Sequence, residues 1–499
     1  MKSLDERFEE IEALARRMGL DPFPILYEVV PRDIIWEVSS YGLPTRMSHW
    51  SFGRSFVHQK TYGEMGYSKI YELIINNNPS YAFLDDTNSD VVNMLICGHC
   101  AAHSDFFKHN ACFSKSNRNM VNQAEQNAHT VDSLKEKYGI EVVEDWMDVA
   151  FALDRHIDWS MGENRQRYPQ QEHVFRKVDP LPYSDLFGED QKPRVVHEVK
   201  NKDFPPHKER DLIWFMASYA QMLPWQRELL SMIRSESFYF YPQFMTKIMN
   251  EGWASFWHAE LMLNYEDLTP SEHMDFAKAH AGVVSAGPPG SLNPYYVGFR
   301  IFGDIKKRWD EYYEAGQKDA AFLKFGDVDK YDEEGNVVMS KMTGMQKLLQ
   351  VRAEDDDVSF VHNYLTRDLA QDMKLYRYGM RGVSENPDED DIILKSRDMA
   401  KIIEAMTSRL HNYGAPPIYI DEVSDSDRSL ILIHDESDKI PLDEMYTKET
   451  LKYIARTWGH KVVLRSRDRF GKVLSYVIDG YSEVKSREAE DESIVEVSI

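Results

Sequence analysis

The sequence predicts an α+β protein: a mainly helical main domain with a small strand layer, followed by a small C-terminal α+β domain. Three observations lead there. Apolar runs with helical spacing dominate the first part of the chain, with Val91 to Phe107 and Phe244 to Met262 the clearest. Two short β-type runs, Tyr71 to Ile75 and Tyr81 to Leu84, flank a turn through Asn76, Asn77, Asn78 and Pro79. After the acidic stretch Ser384 to Asp391 the pattern changes to four strand-like runs around one helix. The expected organisation is therefore a main domain over 1–383, an acidic linker over 384–396, a small domain over 397–481 and a polar tail over 482–499.

Each element has its own signal. Leu4, Phe8, Ile11, Leu14 and Met18 form an apolar stripe closed by Gly19, a first helix. An extended piece, Ile25 to Val30, precedes a helix opened by Pro31 and running through Ser40. The segment YGLPTRMSHWSFG then reads as a loop rich in side chains, before the strand pair and the helix from Val91. Helical spacing returns from Asn117 to Tyr138 and from Glu141 to Trp159, while 162–206 reads as a polar excursion. Helices over Asp211 to Leu223 and Trp225 to Tyr239 frame Pro224. His280 opens AHAGVVSAGPPGSLNPYYVGF, read as a Gly/Pro-rich loop carrying Tyr295 and Tyr296. In the C-terminal part, strands over Ile418 to Val423, Ser429 to His434, Lys461 to Arg465 and Val473 to Ile478 surround a helix over Leu442 to Trp458. The charged end is expected to lack regular structure.

Composition narrows the function classes. The 499 residues, 42% of them hydrophobic, suffice for two or three domains with sizeable cores. The opening MKSLDERFEE is charged, with no apolar signal segment, and no run of about 18 apolar residues would span a bilayer. A soluble cytoplasmic protein is expected. A net charge of −24 argues against sequence-independent binding to DNA or RNA, which needs a basic surface. The three cysteines, Cys97, Cys100 and Cys112, do not make a disulfide scaffold in a chain of this size and fit a reducing compartment. No Gly-rich phosphate loop and no GxSxG is present, so nucleotide-dependent and serine-hydrolase chemistry have no support.

The chemistry-bearing residues sit in the two apolar helices. His99 and His103 fall at i and i+4, which places both imidazoles on one helix face, as two nitrogens sharing one metal ion require. Glu251 lies mid-way along the second helix with His258 seven residues on along the same face. A carboxylate inside a core needs a cation or a proton. His99, His103 and Glu251 thus form a candidate three-ligand set for a divalent metal, zinc by its donors, with positions left for water or substrate. Two other readings of these residues stand beside it: a plain Glu251–Lys247 pair at i−4, and a structural zinc site from Cys97, Cys100, His103 and Cys112.

A family resemblance is carried by DPFPILYEVVP, GLPTRMSHWSFG, YSKIYELIINNNPSYAFL, AHSDFFKHNACF, TKIMNEGWASFWH and LNPYYVGF, in that order, and by IPLDEMYTKETLKYIARTWGHKV near the C-terminus. Together they resemble the stage V sporulation protein R (SpoVR) family over nearly the whole chain. The resemblance implies a cytoplasmic bacterial or archaeal protein linked to spore cortex formation in spore formers. In other organisms it implies a stress programme beside a PrkA-type serine protein kinase. Glu251-Gly252-Trp253-Ala254 is also similar to the EGWA segment of some gluzincin metallopeptidases, where the glutamate is the third zinc ligand after HExxH. That likeness implies a zincin-like core and hydrolysis of an amide or peptide bond. The first helix here reads His99-Cys100-x-x-His103, so Cys100 stands where the general-base glutamate would be. Glu236, Asp105 and His258 are the candidate replacements, and His280, Tyr295 or Tyr296 the candidate oxyanion donors. The alternative is a non-catalytic assembly or regulatory factor with a degenerate core, working with the kinase.

Overall fold

The computed structural model describes residues 2–65, 72–169, 172–178, 194–200, 204–288, 290–314, 330–331, 337–338, 342–380, 392–408, 410, 414–437, 440–467, 471–479, 485–488 and 493–496. The acidic stretch Ser384 to Asp391 lies outside them. The class is α+β, and the chain divides into two units. The first comprises Met1–Glu144 with Phe238–Gly414, the second Asp145–Ser237 with Ala415–Ile499.

The first unit opens with helix α1 (Leu4–Met18), which starts in a reciprocal capping box between Ser3 and Glu6 and ends on Gly19 at φ 111°. Strand β1 (Ile25–Val30) and helix α2 (Arg32–Tyr41) follow. Helix α3 (Trp50–Glu64) comes next, capped by His49. It occupies part of the segment read above as a loop. No α3 residue is buried, so it has no apolar stripe to betray it in the sequence. It lies so close to α2 that a Cβ at Gly63 would stand 2.3 Å from the Trp36 ring. Strands β2 (Glu72–Ile75) and β3 (Ser80–Asp85) complete a three-stranded sheet in the order β1-β3-β2, parallel between β1 and β3 and antiparallel between β3 and β2. Strand β2 is therefore an edge. Helix α4 (Asp90–His109) leaves the sheet with Val91 and an unbroken stretch from Asn93 to Phe107 buried. Helices α5 (Met120–Tyr138) and α6 (Ile140–Leu153) follow.

The excursion after α6 contains a hairpin of β4 (Glu172–Val178) and β5 (Arg194–Lys200). Helix α7 (Leu212–Tyr219) is capped by Asp211, and α8 (Pro224–Met245) runs through Pro242. The expected stop near Tyr239 does not occur. Phe238, Tyr239 and Tyr241 are all buried, and that packing holds the last turns helical despite the missing N–H of the proline.

The first unit resumes with α9 (Lys247–Asn264), α10 (Pro270–Val283) and α11 (Pro294–Glu314). Helix α9 is nearly all buried and packs between α4 and α11. Small residues set the approach. A Cβ at Gly98 on α4 would meet Leu261 at 3.1 Å. At the α9–α11 crossing, a Cβ at Gly252 would stand 2.3 Å from the Cα of Gly298, so the two backbones nearly touch. The N-terminus of α9 has no cap of its own. The buried Asp357 carboxylate supplies one, accepting from the backbone N–H groups of Ile248 at 2.7 Å and Met249 at 2.8 Å. His280 lies in α10, and Tyr295 and Tyr296 open α11, where a loop was expected. The reason is local: Pro294 is pre-set for a first helical turn, and Asn293 Oδ1 accepts from the Tyr295 N–H at 3.1 Å. A β6–β7 hairpin (Lys330–Tyr331, Val337–Val338) precedes α12 (Gly344–Glu354), α13 (Asp357–Tyr364) and α14 (Arg367–Asp372). A second hairpin, β8–β9 (Arg377–Met380, Ile392–Ser396), and α15 (Met399–Thr407) end this part.

Helix α10 also carries a pH-sensitive clasp. Glu272 closes the capping box with Thr269 and accepts from Arg7 Nη1 at 2.7 Å. The bonds from Arg7 and Thr269 hold its carboxyl down at about 2 against an ordinary 4.5. A depressed carboxyl stabilises the fold fully above its unfolded pKa and loses that contribution as pH falls through the folded value. Glu272→Gln is accordingly expected to lower the melting temperature at pH 7, with the gap to the parent closing between pH 4.5 and about 2 in a melting series.

The rest of the second unit is a sheet in the order β10-β11-β12-β13-β15-β14 with one helix. Its elements are β10 (Ile418–Val423), β11 (Leu430–His434), α16 (Glu444–Trp458), β12 (Val462–Arg467), β13 (Val473–Ile478), β14 (Lys485–Glu488) and β15 (Ser493–Glu496). Residues 145–237 are tied to it through paired backbone bonds between Glu209 and Ile420, 2.8 and 2.7 Å, and through Phe215 against Trp458. Part of the charged end forms strands: the apolar pair Ile494–Val495 has the β character that suits β15, which pairs in register with Ser475 and Tyr476 of β13.

Candidate metal centre

The site forms where α4, α9 and the edge strand β2 meet. His99 and His103 are one turn apart on α4, and their Nε2 atoms face each other at 3.0 Å. Glu251 enters from α9. Its Oε1 accepts from Lys247 Nζ at 2.5 Å, and its Oε2 lies 3.4 Å from His103 Nε2 and 3.7 Å from His99 Nε2. The Lys247 pair and the histidine contact thus coexist on the two oxygens of one carboxylate. Oε2 is buried and accepts no hydrogen bond. Burial works against the Glu251 charge, but Lys247, then His103 and His99, outweigh it and hold the carboxyl well below its usual range.

Around these three side chains runs a chain of imidazoles. His103 Nδ1 contacts Asn250 Oδ1 at 2.9 Å, His99 Nδ1 contacts His258 Nδ1 at 3.0 Å, and His258 Nε2 contacts His280 Nδ1 at 2.7 Å. Proton placement in this chain has two self-consistent directions. In both, His103 Nδ1–H donates to Asn250 and leaves the His103 Nε2 lone pair facing inward. In the first, His99 Nε2–H donates to that lone pair, and the remaining donors run inward from His280. In the second, His99 Nδ1–H donates to His258 and His258 Nε2–H to His280. Two Nε2 lone pairs and the bare Oε2 then converge, a set of donors that suits a cation. Burial and the neighbouring His99, His280 and His103 keep His258 neutral, as either direction requires.

The residues therefore fit a divalent ion. One ligand atom from each of His99, His103 and Glu251 lies within 4.8 Å of the others, and all three residues are buried. No other such group occurs among the described residues. The four-residue cysteine alternative is not assembled. Cys97 Sγ instead points at Phe8 O, 3.8 Å away, and Tyr27 Oη, 3.5 Å away, and burial raises the Cys97 thiol and pushes that of Cys112 up to about 12. Cys100 is a buried core residue.

A cavity of about 360 Å³ opens beside the cluster. Val92, Leu95 and Ile96 of α4 with Ala279 and Val283 of α10 make an apolar wall, and Glu72, His99, His258 and Tyr295 make the polar end. Tyr295 stacks on His99 with ring centres 6.1 Å apart, and burial, then Glu251, raises its phenol. Glu72 is the residue that sequence reasoning passed over. Its Oε1 lies 3.7 Å from His99 Nε2, the same separation as Glu251 Oε2 on the other side, and burial raises its carboxyl. The signal was present as a lone carboxylate inside the apolar run Tyr71 to Ile75.

The other sequence candidates are placed elsewhere. Glu236 is 1% exposed on α8 and is not among the residues that form the cluster. Asp105 is occupied by Arg352 Nη1 at 2.6 Å, Trp253 Nε1 at 3.1 Å and the Asp21 N–H at 2.9 Å. Tyr296 accepts from Arg300 at 3.0 Å. His258 and His280 are brought to the cluster, but behind His99.

A mainly helical protein with a buried His/His/Glu cluster, joined in one chain to a small sheet domain, is the class that fold and site define. The chain belongs to the SpoVR family: the family model described as SpoVR like protein matches residues 1–415, and that described as SpoVR-like C-terminal domain matches 416–469. The uncharacterized protein YcgB of Escherichia coli (strain K12) is 28% identical over 496 residues, covering 94% of this chain and 93% of YcgB. No solved structure matches. Among the described residues no helix is long and apolar enough to cross a membrane.

Proposed function

We propose that this SpoVR protein binds one divalent metal, zinc by its donor set, through His99, His103 and Glu251, and hydrolyses an amide or peptide bond in the adjoining cavity. The observation that carries the reading is Glu251 Oε2, a buried carboxylate oxygen without a hydrogen bond, aimed at two imidazole nitrogens. Leaving a buried polar atom unsatisfied costs about 1–3 kcal/mol, more for a charged one. A bound zinc ion supplies Lewis acidity toward a carbonyl oxygen and lowers the pKa of a water molecule. The chain's own groups do the rest. Glu72, at the polar end of the cavity, takes the place of the HExxH glutamate and holds the proton removed from the attacking water. Tyr295 Oη–H donates to the developing oxyanion. The outer edge of β2, unpaired among the described strands, offers backbone groups to an extended substrate chain, and the apolar wall takes a hydrophobic side chain beside the scissile bond. The likeness of Glu251-Gly252-Trp253-Ala254 to gluzincins supports the same chemistry.

The zinc-loaded protein should be assayed against N-acyl amino acids and peptides with apolar side chains. Turnover is expected in the parent, and Glu72→Gln is expected to lower kcat by about 10²–10⁴ with zinc content unchanged. Turnover undiminished in Glu72→Gln removes that residue's role; no turnover in the loaded parent over the panel removes the hydrolase. One observation favours a second reading, a non-catalytic sporulation or stress factor working with a PrkA-type serine kinase. In the first proton direction the imidazole hydrogen bonds run unbroken from His280 to Asn250, and Cys100 stands where the usual base would be. In that reading the purified protein, metal-bound or metal-free, shows no turnover.

A further inference from the structure

Within the second unit, a cavity of about 510 Å³ opens between residues 163–167, α7 and the first turns of α8. In a chain of net charge −24, its wall holds four guanidinium groups, Arg165, Arg167, Arg227 and Arg234, against one carboxylate, Glu163. Two of the four are already matched. Arg165 forks onto Glu209 at 3.1 and 2.6 Å and lies over the Trp214 ring at 3.7 Å. Arg234 grips Asp211 Oδ2 through Nε at 2.9 Å and Nη2 at 2.8 Å. These pairs are buried and fix the wall.

Among the described residues the other two have no acidic partner. Among the described residues Arg167 makes no ion pair or hydrogen bond. Arg227 donates through Nη2 to the Ala220 carbonyl at 3.3 Å, a neutral acceptor, and its Nη1 is buried with nothing to accept from it. Burial and the nearby Arg167 both depress the Arg227 guanidinium, which places the two like charges within each other's field. A buried charged donor beside a second unmatched cation is a cost that an anion in the cavity removes.

We propose that this cavity binds the phosphate group of a small ligand, with Arg167 and Arg227 as the clamp. Two unmatched guanidiniums call for a dianion rather than a carboxylate, and their planar forks match phosphate oxygens. The cavity is far roomier than a phosphate alone needs, and Trp214 lines it, so a phosphate monoester with an organic portion fits better than the free ion. This site is independent of the metal cluster.

The test is calorimetric titration of the full chain with inorganic phosphate and with phenyl phosphate, each against chloride at equal ionic strength. Saturable binding is expected, tighter for phenyl phosphate, and Arg167→Gln is expected to weaken it about 10-fold or more. The Arg167 side chain is exposed, so that variant folds; Arg227→Gln, checked by melting, should weaken binding as well. Binding of inorganic phosphate with no gain for the monoester, still lost in Arg167→Gln, assigns the free ion as the source. Heats no larger than chloride gives, or binding unchanged in both variants, overturns the proposal.

Discussion

Gly252→Ala is expected to destabilise the protein by about 3 kcal/mol or more. The added Cβ would stand 2.3 Å from Gly298 Cα and 2.4 Å from its carbonyl carbon, both backbone atoms that cannot rotate aside. Helix α11 cannot retreat either, because Val297, Ile301, Phe302, Ile305 and Trp309 pack into the same core as α9. Gly303→Ala is the control. It lies on α11, beyond the crossing, with nothing within 4 Å of its Cβ, and there alanine's helix propensity should leave stability unchanged or raise it by up to about 1 kcal/mol. Thermal melting of the two variants beside the parent decides the point. Equal melting temperatures would mean that α9 and α11 are not in backbone contact. The crossing matters to function because Gly252 follows Glu251, so the close approach sets the depth at which the carboxylate enters the cluster.

Glu251→Gln is expected to weaken metal binding by more than about 100-fold while the fold is kept, measured by competition with a chelator. Glutamine fills the same volume and can still accept from Lys247, so packing is preserved. What it removes is the anionic Oε2 that faces His99 and His103 at 3.7 and 3.4 Å. A variant that binds as tightly as the parent would show that Oε2 is spoken for by the imidazoles alone.

The elements that were legible in the sequence are those whose burial leaves a periodic mark. Helix α4 shows its apolar run, α1 its stripe and Gly19 stop, and strands β1, β10 and β13 their β-type runs between turns. The His99, His103 and Glu251 grouping was readable because polar residues stood out against two apolar helices. Glu72 was not, since a carboxylate in a four-residue edge strand looks like an outward-facing polar position until the sheet order is known. Helix α3 fully buries no residue, and its half-buried face mixes polar and apolar side chains, so it carries no apolar stripe. Tyr295 and His280 were assigned to a loop because the Gly/Pro content of the segment masked the start of α11 at Pro294. The association of 145–237 with 415–499 is made by backbone pairing between Glu209 and Ile420, which composition does not record.

The most direct test of the central claim is the metal content of the full chain, purified without chelators, measured by elemental analysis beside His103→Ala, Glu251→Gln and Cys97→Ser. About one zinc per chain is expected in the parent and in Cys97→Ser, and none in the other two. No metal in the parent, even after incubation with zinc, would contradict it and leave the imidazole chain as a hydrogen-bonded core.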